Sequence, residues 1–254
     1  MPKNALYRSL FIAGLLIFNS IAQADSTVVA VAANFTKPMN EIAAEFEKAT
    51  GHSAKLSFGS SGKFVAQIEN GAPFEVFLSA DDKNPIKLEQ SGLAVANSRF
   101  TYALGKLVLW SVTDAYVDSE GQILSSGGFK HIALADPKLA PYGAAALEVL
   151  KNLNLLDKLQ PLFVQGENIA QTYEFVSTGN AELGFVALSQ VFEDGKISKG
   201  SAWVVPSSLY KPILQDAVLL KTGAENPAAV ALLEFLKSAP ALAIIKKYGY
   251  ELAQ

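Results

Sequence analysis

The residues with the greatest potential for chemistry lie in the segment 57–64, which reads Ser-Phe-Gly-Ser-Ser-Gly-Lys-Phe. Its end resembles a phosphate-binding loop, but that motif requires glycine where Ser57 stands and Ser or Thr where Phe64 stands. What remains is a property that such loops share: small residues let backbone N–H groups at a helix N-terminus converge on an anion, and serine hydroxyls add donors. On the serines alone, the simpler interpretation is that Ser60 or Ser61 caps its helix.

Groups that support metal binding or nucleophilic catalysis are scarce. The chain contains two histidines, His52 and His131, and no cysteine. A zinc site of the usual composition would need both histidines together with carboxylates, and the two stand far apart without ligand spacing. No Gly-x-Ser-x-Gly motif occurs, and neither histidine lies in a recognisable triad context. We therefore expect His52 in a surface turn and His131 at the start of a strand.

The carboxylates near the serine-rich segment are the other candidates for chemistry. Asp81 and Asp82 follow an apolar run, but they lack the alternating spacing of a calcium loop, so a capped turn after a buried strand is favoured. Glu75 lies in a loop that leads into the same strand. One alternative left open is a secreted hydrolase that uses Ser61 with a carboxylate from Glu75 or Asp81.

The elements that must position these residues follow an α/β pattern. The chain has 254 residues, of which 50% are hydrophobic and 18% charged, so it can build a substantial core. Apolar strand-like runs alternate with amphipathic helices, which predicts α/β layers around mainly parallel sheets. A first helix begins near a capping Thr36 and ends at Gly51, and the helix after the serines stops at Gly71. Strands are expected at residues 28–32, 55–58, 106–111, 131–135, 163–165, 183–187 and 217–220, and later helices from Pro141 and over 168–177, 227–237 and 239–248.

The length is large for one core, and a segment of domain size lies between Gly105-Lys106 and Lys211-Pro212. We therefore predict two lobes joined by two hinge crossings. Residues 25–105 and 212–254 would form the first lobe, and residues 106–211 the second.

The N-terminus has the organisation of a secretory signal peptide. Lys3 and Arg8 precede an apolar stretch over residues 10–18, and Ala22-Gln23-Ala24 supplies a small-x-small cleavage site. Residues 1–24 are therefore predicted to be removed, leaving a soluble protein outside the cytoplasm. Because the chain has no cysteine, we expect no lipid anchor attached through one. A net charge of −3 does not favour binding to the negatively charged phosphates of nucleic acid.

Several segments, taken in order, resemble one known family. The segments are residues 31–36, 56–62 and 70–81, then Ala135-Asp136-Pro137 with Pro141-Tyr142-Gly143, then 183–186 and 247–250. Together they resemble the periplasmic molybdate-binding proteins of ABC-type molybdate importers, the ModA family, over essentially the whole mature chain. The ordered combination is specific, whereas any single fragment would be weak.

The resemblance implies a two-lobed periplasmic binding protein of type II, the Venus-flytrap fold, with molybdate or tungstate held between the lobes. It implies no turnover and no cofactor, a periplasmic location, and an inner-membrane ABC permease as partner; we expect a monomer. The alternatives are a receptor for another oxyanion such as sulfate, or for an organic acid, and a purely structural secreted domain that binds none of these.

Carrying the family's binding positions across places Asn34 and Ser61 in the first lobe, and Tyr142 and Ile169 in the second, Ile169 through its backbone amide. Some relatives have a ligand tyrosine where this chain has Ala187, and they have alanine where it has Tyr142. We hypothesise that the Tyr142 phenol fills that donor role. All four residues lie at junctions between a strand and the following helix. These junctions lie at the carboxyl ends of the strands, where parallel α/β sheets bind ligands. Helix N-termini there could hold a dianion without a buried Lys or Arg.

Overall fold

The computed structural model describes residues 24–193 and 195–253, so the predicted signal peptide lies outside the described residues except for its last residue, Ala24. The strands, in chain order, are β1 (Ser26–Ala32), β2 (Ser53–Gly59), β3 (Val76–Leu78), β4 (Phe100–Gly105), β5 (Leu107–Ser111), β6 (Ile132–Ala135), β7 (Phe163–Gly166), β8 (Leu183–Ala187), β9 (Phe192–Glu193), β10 (Lys196–Ile197), β11 (Ser201–Val204) and β12 (Ile213–Leu219). The helices are α1 (Thr36–Thr50), α2 (Ser61–Glu69), α3 (Lys83–Gln90), α4 (Ile123–Ser126), α5 (Pro141–Asn152), α6 (Leu156–Leu159), α7 (Ile169–Ser177), α8 (Leu188–Val191), α9 (Pro227–Phe235) and α10 (Ala239–Lys247).

The strands form two five-stranded sheets, each the centre of one lobe. Their orders are β2-β1-β3-β12-β4 and β11-β5-β8-β6-β7, and β9 and β10 form a separate hairpin. When the second sheet is followed from β7 to β11, both sheets have the same arrangement: three parallel strands, one antiparallel strand, and an edge strand antiparallel to that one. The two sheets thus share an arrangement of strand directions, but the chain contributes the antiparallel strand last in the first sheet and first in the second.

The sheets are mixed, which refines the expectation of mainly parallel sheets. In each sheet one strand, β12 or β5, opposes the other four in direction. These are the strands that the chain enters directly from the other sheet, after Gly105 and after Val204. A parallel neighbour needs a long crossover connection, usually a helix, and neither crossing contains an α-helix.

Both faces of each sheet are covered by apolar side chains. Alternation along β1 sends Val29 and Val31 into the core under α1, α9 and α10, and Ala30 into the core under α2 and α3. The second sheet is packed by α5 and α6 on one face and by α7 and α8 on the other. Within the described residues no single helix is long and apolar enough to cross a membrane; α9 and α10 would reach that length only together, across a 60° bend.

Two local predictions need correction. Thr36 is the first residue of α1 and not its cap, because a 3-10 turn over Ala33–Phe35 leads directly into the helix and the Thr36 hydroxyl donates to the Ala33 carbonyl. β12 begins at Ile213, four residues before the predicted start, because two buried polar residues, Gln215 and Asp216, interrupt its apolar pattern.

Candidate functional site

A small cavity lies between the two lobes, at the carboxyl ends of parallel strands from both sheets. About 200 Å³ there is not filled by protein atoms, open solvent included. Among the described residues, no charged side chain lines the cavity; the lining residues are Ala32, Ala33, Asn34, Gly59, Ser60, Ser61, Ala80, Ala140, Pro141, Tyr142, Asn168 and Ile169. The structure therefore brings together at one cavity all four residues to which the family resemblance carried the binding positions, Asn34, Ser61, Tyr142 and Ile169.

The second lobe presents two helix N-termini to this cavity. At α7, the Asn168 side chain accepts hydrogen bonds from the backbone N–H groups of Ala170 and Gln171, at 2.9 and 3.1 Å. The Ile169 N–H also lies in the first turn, but it does not bond to the Asn168 side chain and so remains a free donor. At α5, Pro141 occupies the first position and has no N–H, so Tyr142 supplies the first backbone donor of that helix.

The first lobe presents α2, which starts without a side-chain cap. Ser60 is the residue before the helix, and its side chain makes no capping hydrogen bond. Ser61 is the first helical residue, and its Oγ accepts a hydrogen bond of 3.0 Å from the Ala80 N–H. The interpretation that one of these serines simply caps the helix is therefore wrong. Since the Ser61 oxygen already accepts from Ala80, its hydroxyl hydrogen is left to donate elsewhere.

A buried polar network that the sequence did not reveal lies behind the cavity. The Asn34 amide group donates to Gln215 Oε1 and to the Tyr250 hydroxyl, both at 2.8 Å. Gln215 Nε2 in turn donates to the Tyr142 hydroxyl at 3.1 Å, and the Tyr102 hydroxyl donates to Gln215 Oε1 at 3.0 Å. Both amide hydrogens of Asn34 are thus used inside the protein, which leaves its backbone N–H, at the start of the 3-10 turn, as a donor for a ligand.

The network joins the two lobes and keeps its phenols neutral. Ser189, at the start of α8, donates to the Asn34 carbonyl at 2.8 Å. Burial raises the pKa of Tyr142 and of Tyr102 well above the usual value, and raises the pKa of Tyr250 to about 12. A side chain at Gly105, in the first crossing, would overlap the Tyr142 hydroxyl, so the network packs directly against the hinge.

The carboxylates considered as partners of Ser61 are bonded elsewhere. Glu75 Oε2 accepts from the Val28 N–H and from the Asn226 amide, both at 2.9 Å. Asp81 accepts from the Ser79 hydroxyl at 2.8 Å and forms the capped turn that leads into α3. Burial raises the pKa of the Asp81 carboxyl. Neither carboxylate bonds to the Ser61 hydroxyl, so this arrangement provides no general base for it.

Both histidines lie outside the cavity. His52 follows α1 in a turn, and its Nδ1 accepts a hydrogen bond of 3.1 Å from the Asp25 N–H. His131 directly precedes β6, and its backbone N–H donates to Glu182 at 2.9 Å. In the part of the chain that the structure describes, no three His, Asp or Glu side chains are grouped so as to hold a metal ion.

Two lobes with the same arrangement of strand directions, two crossings and a neutral cavity between helix N-termini define a solute-binding protein of the periplasmic type II class. The family model described as bacterial extracellular solute-binding protein matches residues 27–251. The chain belongs to this family, whose role is transport and not catalysis.

The relatives share most of the chain. It is 58% identical over 240 residues to the molybdate-binding protein ModA of Azotobacter vinelandii, covering 94% of each chain. It is 57% identical to the molybdate-binding protein ModA of Rhodobacter capsulatus, covering 90% of this chain and 89% of that one. The solved structure of the Azotobacter vinelandii periplasmic molybdate-binding protein superposes with a TM-score of 0.87 at 46% identity, over 90% of this chain and all of that one.

Proposed function

We propose that this protein is exported, captures molybdate or tungstate between its two lobes, and delivers the oxyanion to an ABC importer in the inner membrane. The observation that carries the proposal is the cavity, which offers hydroxyl and backbone N–H donors from both lobes and no charged side chain. The 58% identity to a protein named for molybdate binding supports the choice of ligand.

In this proposal each of the four residues supplies a donor. Ser61 gives its hydroxyl hydrogen, and Ile169 gives the backbone N–H that the Asn168 cap leaves over. Asn34 gives its backbone N–H. Tyr142 gives its backbone N–H and its phenol hydrogen; the phenol oxygen accepts from Gln215, and the neighbouring Tyr250 hydroxyl competes with the anion for the hydrogen.

Selectivity follows from a site that consists mainly of donors. A tetrahedral dianion without a proton matches converging donors, whereas a protonated phosphate brings a donor that needs an acceptor. Molybdate and tungstate have the same charge and shape and nearly the same size, so we expect donor geometry alone to separate them little. The smaller sulfate should fit loosely.

Closure of the lobes would be the signal to the importer. Donors from both lobes act on one anion only when the lobes are closed, so the ligand shifts the population toward closure. The strand membership of the two sheets supports lobes made of residues 25–105 with 212–254, and of residues 106–211. We expect a monomer whose closed form is recognised by the membrane permease.

The test is calorimetric titration of the mature, ligand-stripped protein with molybdate, tungstate, sulfate and phosphate, beside a Ser61→Ala variant. We expect tight one-to-one binding of the first two anions, weakened in the variant. Tight binding of sulfate instead would make the protein a receptor for another oxyanion. No heat with any of the four would contradict the proposal and return attention to hydrolase assays.

A further inference from the structure

We propose that Ser60, which the family resemblance does not mark as a binding position, contacts the bound oxyanion directly through its hydroxyl. This inference rests on the proposed function, because it assigns one more donor to the same cavity. Ser60 and Ser61 would then give two adjacent hydroxyls to one ligand.

The Ser60 side chain is buried and has no partner. Ser60 is 3% exposed, and its Oγ makes no hydrogen bond to any other described residue. A buried hydroxyl without a partner is unfavourable, and a ligand that accepts a hydrogen bond from it removes that cost. The residue lines the cavity between the lobes.

The backbone around Ser60 explains why the hydroxyl is free. The residue has an extended backbone, with φ −79° and ψ 144°, and it precedes α2, a position at which serine normally accepts from the first turn. Here it does not, and the Gly62 N–H of that turn donates instead to the Leu139 carbonyl of the other lobe, at 2.9 Å. The hydroxyl is therefore left between the start of α2 and the cavity.

Ser60 also lies between the cavity and a neighbouring pocket. That pocket, of about 330 Å³ including open solvent, shares Gly59, Ser60 and Asn168 with the cavity. Lys63 and Glu167 line the neighbouring pocket from opposite lobes and form an ion pair. An anion that enters the cavity through this pocket passes the Ser60 hydroxyl.

The chain provides a matched control for this serine. Ser238 precedes α10 with nearly the same backbone, φ −73° and ψ 155°, makes no capping hydrogen bond, and has a buried Oγ without a partner. It does not line the cavity. Ser60 and Ser238 therefore share their local geometry and differ in access to the ligand.

The experiment titrates molybdate into the parent protein and into the Ser60→Ala, Ser60→Gly and Ser238→Ala variants, and records thermal unfolding of each without anion. Loss of a hydrogen bond to a charged ligand should raise Kd about ten- to a hundredfold in both Ser60 variants. Ser238→Ala should leave Kd within about twofold, since it removes no donor to the anion. Glycine provides a second replacement without the hydroxyl, so that an effect particular to alanine at the helix start can be recognised.

Two results would overturn the inference while leaving the proposed function intact. One is parent-like affinity in both Ser60 variants, and the other is equal weakening by Ser238→Ala, which would indicate a general effect on helix starts. If the parent itself binds none of the oxyanions, the proposed function fails first, so the two failures are distinguishable. Without anion, all variants should melt close to the parent, because neither hydroxyl has a protein partner to lose.

Discussion

The hydroxyl groups at the cavity are oriented by bonds that the protein makes through their oxygen atoms. Ser61 Oγ accepts from the Ala80 N–H, and the Tyr142 oxygen accepts from Gln215 Nε2. Each oxygen is held in place, which leaves the Ser61 hydrogen available, whereas the Tyr142 hydroxyl also hydrogen-bonds to Tyr250. A donor that is oriented before the ligand arrives loses less conformational freedom on binding, which favours affinity.

This arrangement predicts that Ser61→Ala has two effects. The variant loses a donor to the anion, and it leaves the buried Ala80 N–H without an acceptor. We expect the unfolding free energy without ligand to fall by about 1–3 kcal/mol, in addition to weaker binding. Urea denaturation measures the first effect and calorimetry the second. Ser60→Ala is the control, since it should weaken binding at unchanged stability; a fully stable Ser61→Ala protein would mean that the Ala80 bond contributes little.

The phenol hypothesis predicts that Tyr142→Phe weakens molybdate binding about tenfold, the cost of one hydrogen bond to a charged group. Tyr102→Phe is a suitable control, because that phenol also bonds to Gln215 but does not line the cavity. Calorimetry on both variants should find the larger loss for Tyr142. A Tyr142→Phe protein that binds as tightly as the parent would leave only the backbone N–H as the contact at this position.

At the scale of elements, the helix starts around the cavity differ in how they are capped. α2 and α5 have no side-chain cap, whereas α7 is capped by Asn168. Unpaired N–H groups at a helix start carry partial positive charge, so uncapped starts that face a cavity attract an anion there. The cap on α7 acts on its second and third residues and spares Ile169, so α7 combines a stable start with a free donor.

Two substitutions of Asn168 should separate helix capping from anion binding. Asn168→Ala removes the cap and should lower the unfolding free energy by about 1 kcal/mol. Asn168→Asp keeps an accepting oxygen, and so should preserve stability, but it places a negative charge beside the dianion. We expect stability to fall more for Ala and affinity to fall more for Asp, by denaturation and calorimetry. The reverse order for affinity would contradict an anion site at α7.

At the scale of the whole molecule, the described structure has its lobes in contact across the cavity. Gly62 bonds to Leu139, and Lys63 pairs with Glu167, each contact joining the two lobes. Both side chains of the ion pair are about half exposed, at 51% and 49%, so the pair contributes little in water. Closure is therefore expected to depend mainly on the ligand and the buried network.

Breaking this ion pair should have a small kinetic effect. Lys63→Gln or Glu167→Gln should raise the dissociation rate of molybdate by about fivefold at most, and the double variant by no more than the larger single effect. Lys87→Gln is the matched control, because Lys87 pairs with Glu69 within one lobe at similar exposure. Stopped-flow dissociation measures all four. A much larger effect would mean that the pair, and not the network, holds the lobes closed.

The neutral cavity predicts binding that is insensitive to pH. No lining side chain changes charge between about pH 6 and 9, because Tyr142 is the one titratable residue among them and burial raises its pKa. We expect the molybdate Kd to stay constant over this range by calorimetry. A site that depended on histidine would lose affinity over this range as rising pH removed the positive charge, and such a loss would contradict the neutral site.

Alkaline pH should act on stability instead. Phenols of the unfolded chain ionise near pH 10, whereas in the folded protein Tyr250 keeps its proton to about pH 12. The unfolded state therefore loses protons first, and the unfolding free energy should decrease as pH rises above about 10. Denaturation at a series of pH values tests the sign, and Tyr250→Phe should reduce the slope.

The sequence by itself determined the α/β alternation, the end of α1 at Gly51, and the positions of Asn34, Ser61, Tyr142 and Ile169 at strand-to-helix junctions. These features depend on neighbours within a few residues, on hydrophobic periodicity and on turn preferences. Because strands of a parallel sheet end at a common edge, junction residues from distant segments could be expected near one another. The assignment of a ligand to them came from the family resemblance.

Only the tertiary structure decided which hydrogen-bond donors of those residues remain available to a ligand. Asn34 gives both amide hydrogens to Gln215 and Tyr250, which lie 181 and 216 positions away in the chain, and no local pattern specifies such pairs. The same holds for Ser60, whose hydroxyl is free because no described polar group is placed to hydrogen-bond with it. It also holds for β12, whose buried polar residues interrupt the apolar run. Periodicity reports which face of an element is buried, whereas hydrogen-bond partners are decided by how distant elements pack.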